Sequence, residues 1–274
     1  MPGYAVNNAA NSNTARVRLK SIALPVEHGG WLFVLEPVLL GLLVVPSAGG
    51  WWLGVAAFGI FLLNQPLKFA IKDRLKGKRY PRTAWAERFA LLYGALASLA
   101  VLLAALTARV SFWPSILLAA PFAALQVASA ATNRGRDALP EISGALALAA
   151  AAPAIALAGG WNLIAALLLW LMPVTRAVAS ILYVRARLRS ERGEPANRGV
   201  VFAAHGFGLL LLGGLAWLRL APWLAALTMA ILLVRALIGL SVQRRPVRAQ
   251  VVGFQELGFG LLMVALAAAG YRLF

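Results

Sequence analysis

The sequence predicts an all-α, polytopic membrane protein, and three observations carry that reading. Hydrophobic residues make up 61% of the 274 positions and charged residues only 13%, where soluble domains carry about 25% charged residues. Apolar runs of about 20 residues recur along the chain, the length a helix needs to cross hydrocarbon. The roughly ten-residue alternating strands of a membrane barrel are absent.

Nine such segments are predicted, at residues 31–46, 51–70, 88–106, 112–131, 141–158, 161–184, 199–217, 221–241 and 253–271. Pro46-Ser47-Ala48-Gly49-Gly50 breaks the first from the second. Gly159-Gly160 separates the fifth from the sixth, and Arg219 to Pro222 divides the seventh from the eighth. These residues end helices because glycine leaves the backbone loose and proline cannot continue the hydrogen-bond ladder. Two domains are read: a disordered cytoplasmic tail over residues 1–24 and a single nine-helix domain over residues 25–274. Residues 1–20 are polar and asparagine-rich, without the short apolar core of a cleavable signal.

Charge sets the orientation. Arg16, Arg18 and Lys20 precede the first segment. Lys72, Arg74, Lys76, Lys78, Arg79 and Arg82 follow the second, and Arg134 and Arg136 the fourth. Arg185, Arg187, Arg189, Arg192 and Arg198 follow the sixth, and Arg244, Arg245 and Arg248 the eighth. The other side holds only Arg109, Arg219 and Arg272. Positive loops stay in the cytoplasm, so the N-terminus is expected inside and the C-terminus outside. The net charge of +17 then sits in membrane-flanking loops. It argues for anionic lipid headgroups as partners and against nucleic acid. The bacterial cytoplasmic (inner) membrane is the expected location.

The chain has no cysteine and only two histidines. That excludes disulfides and cysteine-held metals, and no metal or cofactor is expected.

Polar groups gather in the predicted cytoplasmic halves of the helices. Glu27 and His28 open the first segment, with Glu36 two turns deeper. Asn64, Lys68 and Lys72 close the second on one helical stripe, with Asp73 beside them. Pro66 interrupts that stripe and predicts a kink. Asp137 and Glu141 open the fifth segment; Arg176, Tyr183 and Arg187 line the sixth. His205, Arg235, Gln255 and Glu256 lie in the last three. Charged groups inside a membrane are functional candidates by default. For Glu36, Lys68, Arg176 and Glu141 an unpaired burial would cost several kcal/mol, so a shared polar cavity is expected. Lys72, Arg235 and Glu256 lie within reach of the interface and read as side chains that pair with a neighbour or snorkel to the headgroups. His28 and His205 read as polar pairing partners, with proton transfer the other role open to them.

Pro25-Val26-Glu27-His28-Gly29-Gly30-Trp31, Glu36-Pro37, Asn64-Gln65-Pro66, Pro140-Glu141-Ile142-Ser143-Gly144 and Arg176 through Arg185 resemble the YwiC-like family of bacterial membrane proteins. That resemblance implies a membrane protein and brings no activity with it. A remoter resemblance, in helix count, orientation and basic loops, is to the UbiA superfamily of intramembrane prenyltransferases. It implies a UbiA-like bundle and a cytoplasm-facing site for an isoprenoid diphosphate. The superfamily's first acidic motif, Asn-Asp-x-x-Asp-x-x-x-Asp, laid from Asn64, puts its aspartate places on Gln65, Lys68 and Lys72. The second motif's place holds Arg185, Arg187 and Arg189, with Glu191 and Glu194 further on. Magnesium-holding carboxylates are thus replaced by cations, which bind phosphate directly and do not ligate magnesium.

The expected site has Asn64, Lys68, Lys72, Arg176, Tyr183, Arg185 and Arg189 holding an isoprenoid or lipid (di)phosphate, with Glu36, His28 and Glu141 as acid–base groups. Two alternatives stand beside it: a transporter or flippase of an anionic solute or lipid, and a non-catalytic membrane subunit or assembly factor.

Overall fold

A computed structural model describes residues 19–25, 28–132, 134–135 and 137–274, with backbone alone at positions 28, 29 and 131. Glu27, Arg136, residues 1–18 of the expected tail and the side chain of His28 lie outside the described residues.

The described chain is helical, without strands. In order the helices are α1 (Leu19–Ala23), α2 (His28–Val44), α3 (Ala48–Leu75), α4 (Pro81–Thr107), α5 (Trp113–Ala131), α6 (Ala138–Ala149), α7 (Ala151–Ala158), α8 (Leu163–Glu191), α9 (Arg198–Trp217), α10 (Trp223–Gly239) and α11 (Ala249–Leu273). Seven spans among the described residues are long and apolar enough to cross a membrane, with α6 and α7 together forming one of them. The protein is a multi-pass membrane protein. α2 and α10 are shorter, at 17 residues each, or about 25 Å against a hydrocarbon core of about 30 Å.

The predicted segments coincide with these helices, and the differences have local causes. α1 falls inside the stretch read as tail. Its Ile22 is buried against Ala70 of α3 and Ala86 of α4, and Gln65 Nε2 donates to the Ser21 carbonyl at 3.1 Å. α3 runs unbroken through Pro66, which is buried. The fifth segment divides at Ala150 into α6 and α7.

Side-chain caps start several helices. Ser47 Oγ accepts from Gly50 N at 3.0 Å, and Asn162 Oδ1 from Ala165 N at 2.9 Å. Each satisfies an amide that the helix itself leaves open.

α7 is the centre of the bundle, buried from Ala152 through Ala158. Its alanines let α2, α3 and α8 approach closely. α4 and α5 lie at the periphery and turn leucines such as Leu91, Leu106 and Leu117 outward, as lipid-facing helices do. α3 packs mainly on α4, whereas α8 packs on α9, α6 and α7. α11 packs on α2, α10 and α8, and this meeting positions the polar interior.

Candidate functional site

Four charged side chains from four helices join inside the bundle. Arg176 of α8 is 1% exposed and Glu36 of α2 is 2% exposed, with Arg176 Nη1 2.9 Å from Glu36 Oε1. The contact is a close charge pair rather than an aligned hydrogen bond. Arg176 Nη2 donates to the backbone carbonyl of Glu256 at 2.8 Å and lies 3.5 Å from its Oε2. Glu256 Oε1 in turn accepts from Arg235 Nη1 of α10. One carboxylate of α11 is therefore shared by two guanidinium groups.

At a rise of about 1.5 Å per residue, Arg176 lies about 20 Å from the Leu163 end of α8 and Arg235 about 18 Å from the Trp223 end of α10. Glu36 and Glu256 lie about 10–12 Å from the opposite ends of their helices. The group lies inside the bundle, nearer the Gly239 end of α10 and the Ala249 end of α11 than their other ends. Two cations face two anions, which lowers the cost of holding charge away from water.

Packing shapes this centre. The Arg235 guanidinium lies 4.0 Å from the Tyr183 ring and 5.0 Å from the Phe259 ring, a contact favourable to a desolvated cation. Gly260 of α11 passes directly over the Glu36–Arg176 pair. A Cβ there would come within 2.6 Å of Glu36 Cδ and 3.1 Å of Arg176 Nη2. His205 of α9 is fully buried, its Nδ1 donating to Val201 O at 2.8 Å while Nε2 has no partner.

Closer to the end of α8, a second arginine cluster ties the α10–α11 connection. Arg187 donates from Nη1 to Gly239 O and from Nη2 to Arg245 O at 2.6 Å, and pairs with Glu191 at 3.0 Å. Arg244 Nη2 adds a bond to Ser190 O at 2.8 Å. Multiple carbonyl acceptors match the several donors of each guanidinium.

Of the predicted site residues, Glu36, Arg176 and Tyr183 converge on this centre. Arg185 pairs instead with Glu141 at 2.8 Å, both side chains partly exposed. Arg189 is exposed and pairs with Glu194 at 3.4 Å. Asn64 is exposed, and Lys68 and Lys72 are half-buried on α3. The ends of α3 and α8 share no extended packing. A cavity of about 320 Å³ beside the end of α3 lies toward α4, lined by residues including Asp73, Arg79 and Glu87. Neither Lys68 nor Arg185 lines it. Asp73 itself is fully buried and ties the α3–α4 hairpin, accepting from Arg82 Nη2 at 2.8 Å and Thr83 Oγ1 at 2.8 Å.

Arg235 and Glu256, read from sequence as pairing with a neighbour or snorkelling, pair with each other and are buried in the centre. Distance from a helix end is a poor guide when neighbouring helices overhang it. The signal that pointed inward was the matching depth of Arg176 and Arg235 in their two segments. Gly260 carried no sequence signal, because its role is to leave room for side chains from two other helices. Among the described residues no three histidine, cysteine or acidic groups are placed to hold a metal.

No curated protein and no solved structure matches the chain. Residues 24–156 match the family model described as YwiC-like protein, a stretch that carries Glu36, Asn64 and Glu141 and ends before Arg176, Arg235 and Glu256. Over that stretch the resemblance read from the sequence motifs holds: the chain is similar to YwiC-like proteins across residues 24–156.

Proposed function

We propose that this chain crosses the bacterial cytoplasmic membrane nine times, with its N-terminus inside, and carries an anionic solute or lipid headgroup through the bundle. The observation behind this reading is the buried Glu256 carboxylate shared between Arg176 and Arg235 inside the bundle. Transport sites lie near the bilayer midplane, where polar groups from several helices can change partners. An incoming anion would take the place of Glu256 on one guanidinium. Release of that carboxylate would let α8, α10 and α11 repack, the two-state exchange that carriage requires.

The nine crossings rest on the alternation of basic and sparsely charged loops. α2 and α10, though short, fit a locally thinned bilayer. Anionic headgroups are the partners that the basic loops favour.

The test uses the purified full chain in proteoliposomes, with labelled phosphate or labelled small carboxylates outside. Saturable uptake is expected, lost in Glu256→Gln. Absence of flux for every anion, or full flux in the variant, would overturn the proposal.

A second reading keeps the UbiA-like bundle and has Asn64, Lys68, Lys72, Arg185 and Arg189 hold an isoprenoid or lipid (di)phosphate without aspartate-bound magnesium. Glu36, His28 and Glu141 would supply acid–base chemistry. In its favour, α3 stays helical through Pro66 and keeps its basic stripe on one face. Labelled isoprenoid diphosphate that binds the protein equally with and without chelator would support it. Binding only with magnesium would defeat it.

A further inference from the structure

Arg235 uses one nitrogen and leaves two idle. Its Nη1 holds Glu256, while Nε and Nη2 are both buried and have no hydrogen-bond partner. These two atoms form one edge of the guanidinium plane, with parallel N–H bonds spaced for the two oxygens of a carboxylate or phosphate. The side chain is only 8% exposed, so bulk water does not satisfy that edge. A charged donor left unbonded in such a setting is costly, and proteins seldom retain that cost without a use.

The surroundings define what fits. Tyr183 of α8 and Phe259 of α11 press their rings on the guanidinium, so new contacts must come along its edge. Charge nearby comes from Arg176 of α8, Glu256 of α11 and, beyond Arg176, Glu36 of α2. His205 of α9 adds a fully buried imidazole with an open Nε2. The two arginines balance the two glutamates, so one added oxyanion meets a neutral centre rather than a net repulsive one.

We propose that the Nε–Nη2 edge of Arg235 is the seat of a single oxyanion group, a carboxylate or a phosphate, on a small anion or a lipid head. This rests on the carrier reading above and names its binding residue. The ligand first seats on this open edge while Glu256 still holds Nη1, and then displaces Glu256 as the carrier reading requires.

The experiment follows the arginine Nε–Hε resonances of the full chain in phosphatidylcholine nanodiscs, with the Arg235 signal assigned by its absence in Arg235→Lys. One arm adds inorganic phosphate; the other replaces part of the lipid with phosphatidic acid. A saturable shift of the Arg235 resonance in either arm is expected, and the arm that responds identifies a free anion or a lipid head as the source. Binding should weaken about tenfold in Arg235→Lys, which keeps charge but loses the two-donor edge. It should weaken about 100-fold in Arg235→Gln and stay unchanged in Arg272→Gln, an exposed cation. If Arg235→Gln does not fold, the wild-type resonance still decides. An unmoved resonance in both arms overturns the site, with ordered water as the edge's partner. A shift without flux in proteoliposomes keeps the site and removes the carrier. Flux with half-saturation unchanged in Arg235→Lys keeps the carrier and removes the site.

Discussion

Glu36 and Arg176 meet at 2.9 Å in the bundle interior, one from α2 and the other from α8, with the backbone of Gly260 on α11 laid across them. Three helices remote in the chain are therefore fixed to one another by a charge pair and by the absence of a side chain.

Breaking this pair should be far worse than removing it. Arg176→Ala leaves Glu36 buried without its cation, a loss of about 3–5 kcal/mol. The double variant Glu36→Leu/Arg176→Met should recover much of that, since similar-sized apolar residues carry no charge to desolvate. Thermal unfolding in detergent measures both. Equal stability of the single and double variants would contradict the pairing.

Gly260→Ala should destabilise by about 1–3 kcal/mol, because the new methyl overlaps the Glu36 carboxylate. Gly258→Ala is the control on the same helix. A Cβ there meets nothing within 4 Å, and the change should be neutral or gain up to about 1 kcal/mol from helix propensity. Matching melting shifts in the two variants would rule out the close approach.

The α3–α4 hairpin depends on Asp73. Asp73→Asn removes the charge-assisted bonds to Arg82 and Thr83. With Arg82 41% exposed on its side chain, the cost is discounted to about 1–2 kcal/mol. Proteolysis between Lys76 and Tyr80 should accelerate in the variant, and an unchanged cutting rate would refute the tie.

Arg187→Lys should loosen the α10–α11 connection. A lysine cannot reach Gly239 O, Arg245 O and Glu191 together. Hydrogen exchange over residues 240–248 should rise, with little change in α4 or α5. Uniform protection across the chain would count against the clamp.

Orientation is testable because the chain lacks cysteine. A lone cysteine at Lys78 should react with membrane-impermeant reagent only from the cytoplasmic side, and one at Arg219 only from the outer side. Labelling of both from one side would leave the nine-crossing topology untenable.

The sequence located the helices well but only some members of the charged centre. Glu36, Arg176 and Tyr183 were legible as candidates because charge or hydroxyl inside an apolar run is conspicuous. Lys68 and Arg185 were equally conspicuous, yet they lie on helices whose ends do not pack together. Arg235 and Glu256 were conspicuous too, but pairing and snorkelling both stayed open for them, because sequence measures depth only from an estimated helix end.

The sequence by itself determined the all-helical membrane class, the apolar segments and the uneven placement of charge, since hydropathy and helix breaking depend on neighbouring residues. Tertiary structure alone decided that Arg176 shares Glu256 with Arg235, that Arg185 turns to Glu141, and that Gly260 leaves room for Glu36. Those partnerships follow from which helix faces pack, a matter of shape complementarity between segments far apart in the chain.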